Sequence, residues 1–361
     1  MLVTLPTIGI TFYQKAVSLI ARSERGIAVL IVRDATKENA FYSFKSSTEV
    51  SKEDFTAENY QYIMDVYALK QPFRVCVVRI GEAGEMADAL KIVEANISTG
   101  WVSIANGTTE DFTALVSWIG TCEQYAKTYK ALVYGIAVAP DKKHMVDFVN
   151  SKVTFADDRG EKTGEAYLPS LLGLLAGSNV VSGVTNAVCG NLKSVTPVDD
   201  PDKAVGSGKF ILVNDVDTVR VGAGVNSLTT TNGSTLTEDM KYIETVEAMD
   251  LIADDIRDEF KNNYVGKYRN NYDNQILFIS AVRHYFEQLA KQDILDREYQ
   301  NTADINVASQ RSAWVGTGKS EAAEWTDSQV RRMAFKRNVF LFANIKILGS
   351  MEHLVFEINM A

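Results

Sequence analysis

Apolar and polar residues alternate along the first half of the chain in short blocks that predict strands and helices in turn. Residues 26–34 (GIAVLIVRD) form an apolar run ended by polar residues, the pattern of a buried strand, and residues 72–80 and 101–105 repeat it. Apolar residues recur at helical spacing in 54–69 and 85–95. Strands that alternate with helices of this length imply crossover connections, so the first half is predicted to be α/β with a largely parallel sheet.

The second half changes to a mixed α+β pattern. A loop rich in Pro and Asp (195–204) precedes a hairpin-like pair of strands within 209–224. Helices are predicted at 246–260, which is amphipathic with its acids opposite the apolar stripe, and at 274–291, which is more apolar. The segment 168–177 (LPSLLGLLAG) is predicted to be a buried helix, because it is too short to span a membrane.

Both ends of the chain are predicted to be extended arms. Gly349-Ser350 suits a two-residue hairpin turn between strands 339–348 and 351–360. Extended apolar arms expose unpaired backbone groups, which strand pairing with another subunit would satisfy; the alternative is pairing within the same subunit. The residues predicted for strand pairing between subunits are Val3, Leu5, Ile8, Ile10, Phe12, Leu354, Phe356, Ile358 and Met360.

Composition makes this an ordinary folded protein with a mildly acidic surface. Of its 361 residues, 46% are hydrophobic and 23% are charged, and the net charge is -9, which disfavours nucleic acid as a main partner. The three cysteines are far apart and match no zinc-ligand spacing, so they are predicted to be buried thiols. The N-terminal residues lack the basic region of a signal peptide.

Motifs that might carry chemistry are weak. Residues 313–320 (AWVGTGKS) satisfy a relaxed P-loop pattern, but the preceding residues are too polar for a central strand, and a polar surface turn with a solvated Lys319 is favoured. The glycines near Gly224 lack dinucleotide-loop spacing. The three histidines are scattered, and the carboxylate pairs do not stand out from a solvated face. The residues indicate no catalytic, cofactor-binding or metal-binding site.

Two segments of opposite charge suggest an electrostatic contact between subunits. Residues 238–261 carry nine acids and three bases, a net charge of -6, whereas residues 331–337 (RRMAFKR) carry four bases and no acid. Charge pairing between them could bias one assembled state over another, although the acidic face could simply be solvated. The residues predicted for these contacts are Asp250, Asp254, Asp258, Arg331, Arg332 and Arg337.

Several blocks together resemble the tail sheath proteins of contractile bacteriophages and of phage-tail-like bacteriocins. They are the loop 224–233 (GVNSLTTTNG), the block 243–275 and the ending 342–360, with 168–186 and 24–32 as earlier matches. The resemblance implies a sheath-like core with terminal β-strand arms, divided as an N-terminal arm (1–25), an α/β part of the core (26–204), a C-terminal part (205–338) and a C-terminal β arm (339–361).

The resemblance also implies a function. Such a chain would be a non-enzymatic subunit that polymerises with itself as stacked hexameric rings around a tail tube, meets baseplate and tail terminator proteins, and contracts to drive the tube through a bacterial envelope. It would use no cofactor, bind neither nucleic acid nor membrane itself, be assembled in the bacterial cytoplasm and end in a virion tail or bacteriocin particle. The alternatives are a nucleotide- or phosphate-binding α/β enzyme and an unrelated self-assembling shell protein.

Overall fold

The computed structural model describes residues 20, 25–178, 180 and 183–358 of the chain. These residues form two compact units, and the division falls inside a long helix. Residues 25–255 and 347–358 make the larger unit, and residues 256–346 make the smaller unit. Among the described residues, no helix combines the length and the apolar character that crossing a bilayer requires.

The secondary structure follows the predicted alternation in the first half. The strands are β1 (Ile27–Arg33), β2 (Phe41–Phe44), β3 (Arg74–Ile80), β4 (Gly100–Ile104), β5 (Tyr129–Tyr134), β6 (Met145–Phe148), β7 (Lys152–Phe155), β8 (Glu161–Thr163), β9 (Leu192–Val195), β10 (Lys209–Phe210), β11 (Leu212–Asp215), β12 (Thr218–Val221), β13 (Thr302–Ile305) and β14 (Leu341–Asn344). The helices are α1 (Ala57–Val66), α2 (Met86–Asn96), α3 (Thr109–Gln124), α4 (Leu168–Gly177), α5 (Pro201–Gly206), α6 (Ile243–Glu259), α7 (Tyr272–Lys291), α8 (Val307–Gly316) and α9 (Asp327–Arg332).

A mainly parallel sheet is the centre of the larger unit. Its strand order is β10-β6-β5-β4-β1-β3-β2, and only the edge strand β2 runs antiparallel to its neighbour. β1 is buried from Ile27 to Val32 because helices cover both faces of such a sheet, which explains its unbroken apolar run. The α/β prediction for the first half is confirmed. A three-stranded sheet (β8-β7-β9) and the predicted hairpin, β11 with β12, complete this unit.

Three helices of the larger unit, α1, α3 and α5, begin at a residue whose side chain accepts a free N–H of the first turn. Thr108 and Asp111 form a capping box at the start of α3, so each side chain accepts a backbone N–H of the other. α4 is buried from Leu168 to Ala176, as predicted. At Gly173 a Cβ atom would lie 1.7 Å from the carbonyl oxygen of Val66, so α4 and α1 can approach this closely only with glycine there.

The smaller unit is built around α7 and a two-stranded antiparallel ribbon. β13 pairs with β14, and α7 packs on β13. A second cluster joins α8 and α9, where the buried Gln310 side chain donates to the carbonyl oxygen of Val330 at 2.6 Å. β13, α8 and α9 were not predicted, because their sequences are too polar and too brief to show a clear period.

The predicted C-terminal hairpin around Gly349-Ser350 is wrong. β14 pairs with β13, and residues 351–358 form no strand with any described residue. The physical reason lies at the supposed turn. There the Ser350 N–H donates to Oε1 of Glu244 at 2.6 Å, which ties the chain to α6 instead of folding it back on β14.

Replacing Gly173 by alanine should destabilise the larger unit by about 3 kcal/mol, because the methyl group would overlap the Val66 carbonyl and force the two helices apart. Gly206→Ala is the matched control, since a Cβ at Gly206 meets no atom within 4 Å. Urea unfolding followed by circular dichroism measures the difference. Equal stability of the two variants would contradict the close approach.

Candidate functional site

The C-terminal segment 351–358 is the most exposed apolar part of the described chain. Leu354 is 88% exposed, Val355 89%, Phe356 74% and Ile358 70%. Consecutive residues of an extended segment point to opposite sides, so both sides of this one face solvent. A contiguous apolar segment without cover marks an interaction surface. The sequence-predicted residues Leu354, Phe356 and Ile358 all lie on it.

The other residues predicted for strand pairing lie outside the described residues. Val3, Leu5, Ile8, Ile10 and Phe12 belong to residues 1–19, and Met360 follows the last described residue. Strand pairing by the N-terminal arm therefore stays a prediction from the sequence.

Hydrogen bonds fix the start of the C-terminal segment to the larger unit. Glu244, in the first turn of α6, accepts the Ser350 N–H and the Ser350 hydroxyl at its two carboxylate oxygens. Two residues later, Glu352 accepts the hydroxyl of Thr185 at 2.6 Å. The segment is thus held to the larger unit at Ser350 and Glu352, and its exposed apolar residues follow these two contacts in the chain.

The acidic residues of α6 have a different environment from the one predicted. Asp250 is 5% exposed, and its carboxylate meets the Lys130 ammonium at 2.6 Å and Nε2 of His144 at 3.1 Å. His144 Nδ1 lies 2.8 Å from a carboxylate oxygen of Glu123 on α3. Glu247 extends this cluster, since it accepts the indole N–H of Trp101 at 2.7 Å.

Asp254 lies one turn further along α6 and is also buried. It pairs with Arg25 at 2.8 Å and accepts the hydroxyl of Thr128 at 2.6 Å. The carboxylates of Asp250 and Asp254 are therefore both paired with residues inside the larger unit. Asp258, in contrast, is exposed. The acidic side of α6 is therefore a buried contact at Asp250 and Asp254 and is exposed at Asp258.

The buried cluster shifts the ionisation of its members. Burial lowers the pKa of His144, but hydrogen bonds with Asp250 and Glu123 outweigh burial and hold that pKa above its usual value. Burial raises the pKa of Asp250, but the Lys130 charge and the hydrogen bond with His144 bring it well below its usual range. The charged forms of both groups are thus favoured in the folded chain.

The predicted basic residues lie in the smaller unit in three environments. The guanidinium of Arg331 forms a short ion pair with Asp304 on β13. Arg332 lies over the ring of Tyr272 at 5.7 Å. Arg337 is exposed and lines a pocket. Of the three, Arg337 is the one available to a partner without loss of an internal contact.

The P-loop-like motif 313–320 is not a phosphate cradle. Its first four residues belong to the last turn of α8, so a helix and not a strand leads into the loop, and only a 3-10 helix of five residues (Ser320–Glu324) follows it. Lys319 was predicted to be solvated, but its ammonium lies over two indole rings, at 5.3 Å from Trp314 and 5.1 Å from Trp325. This lysine holds the turn against two aromatic residues.

The carboxyl edge of the parallel sheet is where α/β folds commonly bind ligands, at the point where strand order reverses beside β1. In this chain, carboxylates of the protein itself accept hydrogen bonds from the donor groups at that edge. Arg33 forms two hydrogen bonds of 2.8 Å with Asp111, and Glu165 accepts the Gly107 N–H at 3.0 Å. Asp34 accepts hydrogen bonds from Thr56 and other neighbours. Within the described residues, no group of three His, Cys, Asp or Glu side chains could hold a metal ion.

The His144 cluster was missed from the sequence. Its members share no motif: Glu123, Lys130 and Asp250 lie on α3, β5 and α6, and His144 lies in the turn before β6. One signal was available: Glu247, Asp250 and Asp254 recur at spacings of three and four, which places them on one side of α6. That side was predicted to face outward, either in a charge contact with another subunit or in solvent, because the charged side of an amphipathic helix usually does.

The chain is similar in sequence and in fold to known tail sheath proteins. Residues 235–361 match the family described as phage tail sheath C-terminal domain. The chain is 27% identical over 366 residues to the tail sheath protein of Clostridium phage phiCD119, with 99% of each chain covered. In fold it is similar to the helical sheath of the anti-feeding prophage in its contracted state, with a TM-score of 0.71, 12% identity and 99% of each chain covered.

Two further solved structures have the same fold. The sheath tail protein of Desulfitobacterium hafniense gives a TM-score of 0.67 at 12% identity and covers 82% of this chain and 94% of its own. That of Listeria innocua gives 0.65 at 13% identity, covering 90% and 96%. The fold is therefore the mixed α and β fold of tail sheath proteins. The resemblance inferred from the sequence blocks is confirmed along the whole chain.

The free energy of unfolding should fall as the pH rises above 6.5 through the raised pKa of His144. Below 6.5 the ring is protonated in the folded and unfolded chain and its contribution is complete; above the folded pKa the proton is lost from both. His144→Gln should flatten this dependence. His353→Gln, at an exposed position, is the control. Urea unfolding between pH 6 and 9 measures the effect, and equal slopes for the two variants would contradict it.

Lys319→Ala should leave the protein without saturable ATP binding, as in the parent chain, because residues 313–320 form no phosphate cradle. Loss of its contacts with two indole rings should cost about 0.5–1 kcal/mol of stability. Isothermal titration calorimetry and thermal unfolding measure both quantities. Micromolar ATP affinity that disappears in the variant would favour the enzyme alternative.

Proposed function

We propose that the chain is a structural subunit of a contractile tail sheath, which polymerises as stacked rings around an inner tube and contracts to drive that tube through a bacterial envelope. The observation that carries this is the C-terminal third of the chain. It matches the tail sheath family and ends in a segment whose apolar residues are exposed. Electron microscopy of the purified protein tests it: ordered tubes are expected, and uniform small particles under all assembly conditions would contradict it.

A chain of the contracted helical sheath of the anti-feeding prophage and a chain of its baseplate are similar in fold to this chain over 99% of its length. By analogy, the proposed partners are further copies of the chain, a tail tube protein, and baseplate and tail terminator proteins. The subunit needs no cofactor and catalyses no reaction. Internal carboxylates at the carboxyl edge of the sheet support this, since Glu165 and Asp111 occupy donors that a phosphate would need. We further propose that the subunit is assembled in the bacterial cytoplasm and ends in a virion tail or in a released particle.

Strand pairing between subunits is the proposed link. The ribbon of β13 and β14 has two strands in the described chain and thus two outer edges where an extended segment could add. The donated residues are Leu354, Phe356, Ile358 and Met360 at one end and Val3, Leu5, Ile8, Ile10 and Phe12 at the other. Charge contacts between subunits would involve Asp258, Arg332 and Arg337, because Asp250 and Asp254 are buried and Arg331 is paired with Asp304.

Deleting residues 351–361, or separately residues 1–12, should give a soluble chain that unfolds cooperatively but no longer forms tubes. For the C-terminal deletion the reason is structural, since the exposed residues Leu354 to Ile358 contribute little to the core they leave. Circular dichroism melting and electron microscopy measure the two properties. As a control, Leu354→Val and Phe356→Tyr keep an apolar, strand-forming segment and should assemble. A truncated chain that polymerises normally would show that the arms are not the links.

A further inference from the structure

A pocket of about 860 Å³ opens in the smaller unit between the turn that follows α6, the start of α7 and the loop 336–339. Its size falls within the range of small-ligand and peptide sites. Three features of its lining point to an occupant: an aromatic wall, a buried polar atom without a partner, and a rim of basic side chains.

The aromatic wall comes from an unusual piece of backbone. Phe260–Tyr264 is a π-helical turn at the end of α6, a feature that is often found at functional sites. Phe260 and Tyr264 stack with their centroids 6.3 Å apart and 6° between their planes, and Tyr264 stacks on Tyr268 at 5.1 Å. Phe278 of α7 closes the wall with its centroid 4.7 Å from that of Tyr264. The result is a continuous aromatic surface.

Gln275 supplies the unpartnered polar atom. The side chain lines the pocket and is 3% exposed, and its Oε1 receives no hydrogen bond from any described residue, although its Nε2 donates to Asn270 at 2.6 Å. Asn270 in turn donates to carbonyl oxygens of the loop that ends the pocket, including that of Asn338 at 3.0 Å. An orphaned buried acceptor is costly, so the arrangement is suited to a ligand with an N–H group.

The rim is basic and largely uncommitted. Lys267, Arg269, Lys336 and Arg337 line the pocket and are exposed. Arg269 and Arg337 form no ion pair with any residue that the structure describes. The surrounding sequence has the same bias: residues 256–346 contain 14 Lys and Arg against 11 Asp and Glu, a net charge of +3, so the rest of the chain, with a total of -9, carries -12.

We propose that this pocket receives the acidic loop 199–202 of a second copy of the chain, which includes the first two residues of α5, as a contact of the assembled sheath; the proposal rests on the proposed function. The loop (Asp-Asp-Pro-Asp) places three carboxylates within four exposed residues. Its carboxylates meet the basic rim, Pro201 packs on the aromatic wall, and a backbone N–H of the loop donates to Gln275 Oε1.

The loop is preferred over other acidic segments because its carboxylates are available. Asp157 pairs with Arg159, Glu238 with Lys241 and Asp215 with Arg220, whereas Asp199, Asp200 and Asp202 form no ion pair within the described residues. Only Asp200 has a structural role, since it caps the short helix α5 by accepting the Lys203 N–H at 3.1 Å. Asp199 and Asp202 can therefore be changed without loss of that cap.

Binding is measured first with a fluorescein-labelled peptide of residues 196–205 and the unpolymerised full-length chain, by fluorescence anisotropy at low salt. The double variant Arg269→Glu/Arg337→Glu should bind the peptide at least tenfold more weakly than the parent. Lys261→Glu is the control, since it reverses one basic charge at an exposed residue of the same unit that does not line the pocket, and it should alter affinity less than twofold. A peptide with Asp199→Asn and Asp202→Asn should lose the interaction.

Assembly is then tested by charge exchange. Arg269→Glu/Arg337→Glu should abolish tubes while its melting temperature stays within about 2 °C of the parent, and adding Asp199→Arg/Asp202→Arg in the same chain should restore them. Normal tubes from the first double variant, or peptide binding that ignores both changes, would overturn the proposal. If the parent chain itself forms no tubes, the proposed function fails, and the peptide measurement still decides the pocket.

Discussion

The buried contact between α6 and the larger unit is the constraint on which the described architecture depends. Asp250 and Asp254 are spaced by one turn and meet Lys130, His144 and Arg25. A buried carboxylate is tolerated only when partners compensate its lost hydration, so α6 has few alternative positions. Apolar contacts alone would tolerate small slides along the helix axis, whereas paired charges fix its register. The π-helical turn and its aromatic stack follow directly on this fixed helix.

The sequence predicted the part of the fold where periodicity is strong. β1, β3 and α4 are buried on all sides, and their uninterrupted apolar residues left little doubt about their place in the core. The prediction failed where the partner of a segment lies far away in the chain. β14 looked ready to pair with the residues that follow Gly349, but its partner is β13, some 40 residues earlier. Local turn chemistry could not anticipate that competition.

The candidate site was predicted unevenly for a related reason. The alternation of apolar and polar residues near the C-terminus is visible in the sequence. Leu354, Phe356 and Ile358 could therefore be predicted from that alternation alone. The acids of α6 could not be assigned, because the same spacing serves a solvated face and a buried charged contact. The decisive residues, Lys130 and His144, come from β5 and from the turn before β6, and no sequence pattern near α6 indicates them. Whether a charged side chain is buried depends on tertiary contacts with residues far away in the chain, and a single sequence does not reveal those contacts.

The anchor at Ser350 has a mechanical consequence. If a neighbouring subunit holds the C-terminal segment, any tension on it reaches this chain through the two bonds that Glu244 accepts from Ser350. Both bonds end on one carboxylate, so they share the load instead of breaking one after the other. The force is then delivered to the first turn of α6, six residues or about 9 Å before Asp250. The helix that takes this load is held within the larger unit by the buried ion pairs of Asp250 and Asp254.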